Sequence, residues 1–545
     1  MLKKLRVVLA WIFWIGITLL FLDFTGALHG YLGWMAKVQF LPAILALNVG
    51  VVVALVLLTL VFGRVYCSVI CPLCVFQDGI SWLGTHKSKK PYQYKKEIKW
   101  LRYGVWALFV LALVAGVSSF VALLAPYSAY GRMVQNLLQP VYLWGNNLLA
   151  AWSEHAGSYA FYEKEVWVKS VSSLVIAIVT LVVIVVLAFK GGRTYCNAIC
   201  PVGTTLSFFS RFAMFRPVID TEKCKHCKAC ELHCKAQCIE ITKDSAHIDY
   251  SRCVDCFDCL DECKFGALKY KYAWKKEIPG QAGNDEKRAG NDEKRAGNDE
   301  KRAGNDEKRA GNDDVMPDTD RASGRRAFMA GTAIAVGAAA LKSAEAAAQE
   351  LAKKTDGGFA NVLPKQAPKR ETPITPPGSF GARNFYRRCT GCQLCIAECP
   401  NNVLRPSSDL NRLMQPEMSF EKGFCRPECT RCSELCPAGA ILPVTKETKT
   451  NFHIGTAGVN VNLCLEATGK SACGKCAEAC PTGAIAMIQQ GEHRRPAVTE
   501  EVCIGCGKCE YLCPVRPISA IMINGKTVHV STQSPSPEGR GFGRG

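Results

Sequence analysis

Between residues 224 and 263 one spacing occurs twice, as CKHCKACELHC and then CVDCFDCLDEC. Both read CxxCxxCxxxC, which leaves a short chain few ways to fold. Three thiolates on a tight loop take three irons of a 4Fe-4S cubane, while the fourth opens a helix that leads away. In proteins with two such runs the fourth ligand crosses to the other cluster. One cubane is therefore expected on Cys224, Cys227, Cys230 and Cys263, and a second on Cys253, Cys256, Cys259 and Cys234. Zinc is the weaker reading, because structural zinc sites pair two CxxC elements and do not repeat three close ligands and a fourth. Lys235 and Lys264 follow the fourth cysteines where proline is usual, bringing positive charge near the sulfurs and raising the expected potential. Cys238 is left over as a spare thiol.

Four further groups lie near the other end of the chain. They are Cys389, Cys392, Cys395 and Cys399; Cys425, Cys429, Cys432 and Cys436; Cys464, Cys473, Cys476 and Cys480; and Cys503, Cys506, Cys509 and Cys513. Proline follows every fourth cysteine, at Pro400, Pro437, Pro481 and Pro514. The second group opens as CxxxC and the third puts eight residues between its first two cysteines, gaps that a bulging loop can close. A disulfide framework would use the same even number but does not account for runs ending in CP. At four ligands per cluster, these sixteen cysteines and the earlier eight predict six 4Fe-4S clusters.

Residues 5–22, 38–62, 101–125 and 166–189 are apolar runs, each near the ~20 residues that cross hydrocarbon, so four membrane spans are expected. Eight Lys or Arg lie in 64–102 and two in 126–165, and Lys3, Lys4 and Arg6 precede the first run. The positive-inside bias then puts both ends of this four-helix unit in the cytoplasm. The net charge of +19 is partly this topology, and no nucleic-acid recognition motif accompanies it.

The second and fourth runs end alike, in GRVYCSVICPLC and GRTYCNAICPVG. This internal repeat predicts two similar helix hairpins, each carrying a CxxxCP element at the cytoplasmic surface, Cys67 with Cys71 and Cys196 with Cys200. On a helical turn, cysteines four apart share one face and offer a thiol pair to a partner, a metal or a redox centre. The alternative is a pair of small buried residues shaping a proline-terminated turn. Gly203 stands opposite Cys74, which gives that cysteine the weaker claim to a role.

From 282 to 309 the heptapeptide AGNDEKR occurs four times. With nothing apolar larger than alanine it can form no helical seam and reads as a solvated linker, spanning on the order of 40 Å. Next comes SGRRAFMAGTAIAVGAAALKSAEAAAQ, 323–349, in which Arg325 and Arg326, a mildly apolar stretch and small residues make a twin-arginine-like export signal. The competing reading is an alanine-rich helix behind two incidental arginines.

The expected fold class is a membrane α-helical four-helix unit joined to α+β ferredoxin-like iron-sulfur domains. Its divisions are a membrane domain (1–210), a two-cluster ferredoxin domain (211–274), the repeat linker (275–320), the signal or anchor (321–350), a proline-rich linker (351–380), a four-cluster domain (381–530) and a tail (531–545). No CxxCH occurs and the four runs contain no histidine, so haem is not expected. No GxGxxG or Walker sequence appears, which disfavours a nucleotide.

Residues 1–270, through their four apolar runs, paired CxxxCP elements and two-cluster segment, resemble the NapH membrane ferredoxins of periplasmic nitrate-reductase systems. Residues 323–525, with the twin-arginine signal and the long-gapped third group, resemble the exported four-cluster NapG ferredoxins. The lysines after Cys234 and Cys263, the extra Cys74 and Cys238 and the CxxxC opening at Cys425 depart from those patterns. The resemblance implies a quinol dehydrogenase component in a bacterial inner membrane. Its first ferredoxin domain would be cytoplasmic and its second periplasmic, exported folded by the twin-arginine machinery. Its partners would be the quinol pool and a periplasmic reductase or cytochrome. Two other classes remain open: a metal-handling or oxidase-assembly protein of CcoG type, and a redox-sensing regulatory ferredoxin.

Overall fold

The computed structural model describes residues 2–88, 92–158, 161–243, 245–273, 354–356 and 360–531. The AGNDEKR repeats, Arg325, Arg326 and the tail lie outside them. Two units result, one formed by Met1–Tyr272 with Leu363–Gly545 and the other by Ala273–Val362. In the second, the described residues form a short hairpin, Lys354–Asp356 with Ala360–Val362.

Two of the expected spans lie largely within continuous helices, Leu2–Leu22 and Val171–Gly191, both long and apolar enough to cross a membrane. The second starts at 171 and not 166, where the Ser170 hydroxyl caps the Ser173 amide. The other two are corrected. Residues 38–62 divide into Phe40–Leu45 and a 14-residue helix, Val49–Phe62, because Leu47 turns the chain left-handed at φ 55° and the Asn48 side-chain oxygen Oδ1 caps the Val51 amide. Residues 101–125 divide at Gly116, a left-handed cap at φ 79° between Lys99–Ala115 and Ser118–Leu124. At 1.5 Å per residue, the 14-residue helix covers roughly 21 Å, short of the ~30 Å hydrocarbon thickness. Two of the four expected spans are thus single continuous helices, and two are broken.

The internal repeat survives in the geometry. Val49–Phe62 and Val171–Gly191 end on Gly63 (φ 75°) and Gly192 (φ 62°), each followed by a fully buried arginine, Arg64 or Arg193. There the helices meet the first ferredoxin module. A Cβ at Gly63 would lie 2.1 Å from an Asp255 carboxylate oxygen, and one at Gly192 would lie 2.4 Å from the Lys235 carbonyl oxygen. The amides that follow donate to those same groups, Arg64 to Asp255 and Arg193 to Lys235, at 2.9 Å each.

This inner module pairs Phe215–Ile219 with Leu268–Tyr272 and Ile239–Ile241 with Ala246–Ile248, both antiparallel. The outer module, from Leu363 on, has three antiparallel pairs, of which Phe452–Val459 with Ile521–Ser531 is the longest. Its core gathers Phe385, Ile396, Phe420, Ile454 and Ile523. Cys392, Leu394, Ala397 and Leu435 of the outer module belong instead to the apolar core of the helices. Polar contacts rim that junction: Gln139 Nε2 donates to the Ala397 carbonyl at 3.0 Å, Gln393 Nε2 to Ser173 Oγ at 2.8 Å, and His29 Nε2 lies 3.1 Å from Glu434 Oε2.

Gly192→Ala must strain a positive-φ backbone and displace a carbonyl, costing on the order of 1–3 kcal/mol. Faster hydrogen exchange in Phe215–Ile219 and Leu268–Tyr272, with the outer strands unchanged, is the expected result. In the outer module, burial holds the His529 imidazole down to about 4 from the usual 6.5. Unfolding exposes a ring that takes up a proton below pH 6.5, so this contribution is complete above that pH and is lost as pH falls towards 4. Exchange protection of Ile521–Ser531, corrected for intrinsic rates, should fall over that window and do so less in His529→Gln.

Candidate metal centres

The first three cysteines of a regular group sit on a loop that repeatedly enters left-handed backbone space. In the inner module His226, Lys228, Asp255 and Phe257 have φ of 49–63°. The outer module puts glycine at most such positions, Gly391, Gly474, Gly505 and Gly507, and Gln393 at another. Alternation of this kind turns successive amides inward as a nest for a negatively charged group.

The loops then close around cavities. One inner cavity is lined by Cys224, Cys227, Cys230 and Cys263, and the other by Cys234, Cys253, Cys256 and Cys259, so each fourth cysteine lies with the other group's first three. The spare Cys238 also lines the second cavity, with its sulfur 3.6 Å from that of Cys234. Among the described residues no three His, Cys, Asp or Glu side chains are disposed to hold a single metal ion. Thiols ringed around a cavity and fronted by inward amides fit a multi-iron cluster, whose ligands stand further apart.

The outer module crosses its ligands in the same way. Burial pushes the Cys389, Cys392 and Cys395 thiols up, and Cys436 adds to the rise at all three. Cys399 acts likewise on buried Cys425 and Cys432, and Cys480 on Cys506. Cys464 and Cys473 lie beside Cys476. The long gap in this group has a local cause. Glu466 accepts from the Cys473 amide at 2.6 Å and from Arg494 Nε at 2.7 Å, which folds the loop back to return its cysteine.

The CxxxCP cysteines are buried, as the alternative of small residues shaping a proline-terminated turn expects. Cys67, Cys71, Cys196 and Cys200 are all buried and share one core with Cys74. The Cys74 and Cys196 sulfurs are 3.0 Å apart, and Gln77 Nε2 lies 3.2 Å from Cys196. Arg64 is placed above them, 3.8 Å from the Cys67 sulfur and 3.0 Å from Asn197 Oδ1. Hydrogen bonding from Cys74, with help from Arg64 and Arg193, holds the Cys67 thiol down to about 6 against the opposing effect of burial. The asymmetric Cys74, discounted from the repeat, is the residue that joins its two halves. Arg64, Arg193 and Gln77 were not singled out from the sequence, although both arginines belong to the repeated Gly-Arg pair.

Comparison with known proteins agrees with this chemistry. The 4Fe-4S binding domain family matches residues 45–91 and 173–218, the two segments that carry the CxxxCP elements, and the 4Fe-4S dicluster domain family matches 471–516. An uncharacterized protein of Methanocaldococcus jannaschii, MJ0749, is 39% identical over 100 residues, 18% of this chain and 39% of its own length. A second from that organism, MJ0750, is 28% identical over 226 residues, 41% of this chain and 79% of its own. The ferredoxin-type protein NapF of Escherichia coli is 30% identical over 105 residues, 19% of this chain and 61% of its own. The delta subunit of NADH-dependent phenylglyoxylate dehydrogenase from Aromatoleum evansii is 36% identical over 69 residues, 12% of this chain and 72% of that subunit. No solved structure matches.

Crossed ligation has a spectroscopic consequence. Cys436→Ser should alter the same paramagnetic resonance signal as Cys392→Ser and leave the signal altered by Cys432→Ser intact. The reverse grouping would mean that each run serves its own cluster.

Proposed function

We propose that this chain, a member of the ferredoxin-type 4Fe-4S proteins and an iron-sulfur electron-transfer protein, oxidises membrane quinol and passes the electrons to a respiratory acceptor such as a periplasmic reductase or cytochrome. The observation that carries this reading is the arrangement of its parts. Apolar helices bear one cysteine-rich module on the Gly63 and Gly192 ends and a second on the side of Phe24, Gln139 and Ser173. Electron carriers at opposed ends of apolar helices suit transfer to or from a substrate dissolved in the membrane.

In this reading the twenty-four cysteines hold six 4Fe-4S clusters, which when bound supply one-electron steps. The chain's own residues fix the loops, exclude water and set the charge around each thiolate. The basic 64–102 segment keeps the inner module in the cytoplasm. Arg325 and Arg326 direct the outer module through the twin-arginine machinery to the periplasm of a bacterial inner membrane. Neither haem nor nucleotide takes part, and nucleic acid is not a partner.

A second reading draws on the five buried thiols, which suit a metal-handling protein of CcoG type. The two separate in one experiment. Anaerobic titration of the reconstituted chain with menaquinol should reduce its clusters, at about 24 Fe and as much sulfide per chain. A chain that takes up copper at its buried CxxxCP thiols but accepts nothing from quinol would favour metal handling. Reporters fused after Lys271 and after Ile523 should read cytoplasmic and periplasmic, the second moving inside on Arg325→Lys with Arg326→Lys.

A further inference from the structure

A cavity of about 240 Å³ lies where the outer module meets the helices. Its wall comes from three distant stretches of chain: Gln135, Gln139 and Leu143 on one side, Trp167, Lys169 and Leu174 on another, and Cys399 with Asn402 from the outer module. An apolar cavity of ~150 Å³ takes one benzene ring, so this one holds a substituted single or fused ring.

Asn136, Gln139, Lys169 and Glu165 on its wall have partners, and two polar atoms do not. Gln135 Oε1 and Trp167 Nε1 are buried and make no hydrogen bond among the described residues, leaving one acceptor and one donor on the lining. A buried polar atom left unpaired costs about 1–3 kcal/mol, so the pair calls for a ligand that both donates and accepts. Lys169 is spoken for, its ammonium donating to the Ile396 carbonyl at 3.0 Å. The rest of the wall includes Pro140, Leu143, Val166 and Leu174. Beyond it on Gln139–His155 stand Val141, Trp144 and Leu148, more than 60% exposed, a greasy flank for an apolar tail.

We propose that this cavity binds the ring of a hydroquinone, with Gln135 accepting from one hydroxyl and Trp167 donating to a ring oxygen. The inference rests on the quinol reading above and gives that reaction its place. Cys399 forms part of the wall and is the fourth thiolate of the set with Cys425, Cys429 and Cys432. Oxidation breaks both O–H bonds. Two protons leave to water at the Lys164 and Glu165 rim, and two electrons leave one at a time to the 4Fe-4S cluster that this set would hold, the first being passed to a neighbouring cluster before the second is taken, the hydroquinone becoming quinone.

The test uses the full chain in lipid nanodiscs under anaerobic conditions, with menadiol as the probe. Binding is read by calorimetry and reduction by paramagnetic resonance. Leu143→Trp, which fills the cavity, should weaken menadiol by at least ~10-fold, in line with the cost of overpacking. Gln135→Leu should weaken it about 3- to 10-fold through the lost hydrogen bond. Both should retain wild-type iron content and reduction by dithionite. Wild-type menadiol affinity in an iron-replete Leu143→Trp or Gln135→Leu chain overturns the site. If quinol still reduces such a chain at the wild-type rate, the site fails and quinol oxidation stands. If the unmodified chain binds menadiol, loses it in both variants and yet is never reduced by it, the site stands and the quinol reading fails. Equal displacement of menadiol by a ringless dodecyl chain would identify a lipid-tail pocket and overturn the hydroquinone assignment.

Discussion

Four thiolates must meet around each multi-iron site, and the two cysteine-rich modules depend on that demand for their shape. Their helices are four to seven residues long and most strands three to six, too short to hold one another. Crossing the fourth cysteine ties each run to its neighbour, so the bonds that fix one site also close the module. Folding energy of this kind comes with the metal, as in other small metal-held domains.

The helices meet a related demand with charge. Arg64, Arg132 and Arg193 are fully buried, and each is held by groups the fold brings to it. Arg132 donates to the Ala122 and Leu123 carbonyls at the end of Ser118–Leu124, where a cation suits the helix dipole. Arg193 pairs with Asp78, which also accepts from Arg6 at 2.8 Å. Arg64 has no carboxylate ion pair of this kind. Its side chain faces thiols and two neutral oxygens beside the five-cysteine core.

Most of the cysteine chemistry was legible in the sequence because its signal is a spacing. The crossed pairing of Cys234 and Cys263 could be written down from two runs of one pattern. Spacing says nothing of what packs against a run, however, so Cys74 was discounted and the CxxxCP pairs could be read either as offered thiols or as small buried residues. Hydropathy failed in a similar way on 38–62 and 101–125. Averaged over a window, it does not register one left-handed residue at Leu47 or Gly116, and one such residue ends a helix. The cavity beside Cys399 was illegible for a third reason, since its helix side and its outer-module side are more than 200 residues apart in the chain.

The outer module does more than touch the helices: Cys392, Leu394, Ala397 and Leu435 are part of their core. An arm that carries charge by swinging between partners needs a surface it can leave, and this one would have to expose packed apolar side chains to do so. An electron passed between helices and outer module would then cross distances built into the fold.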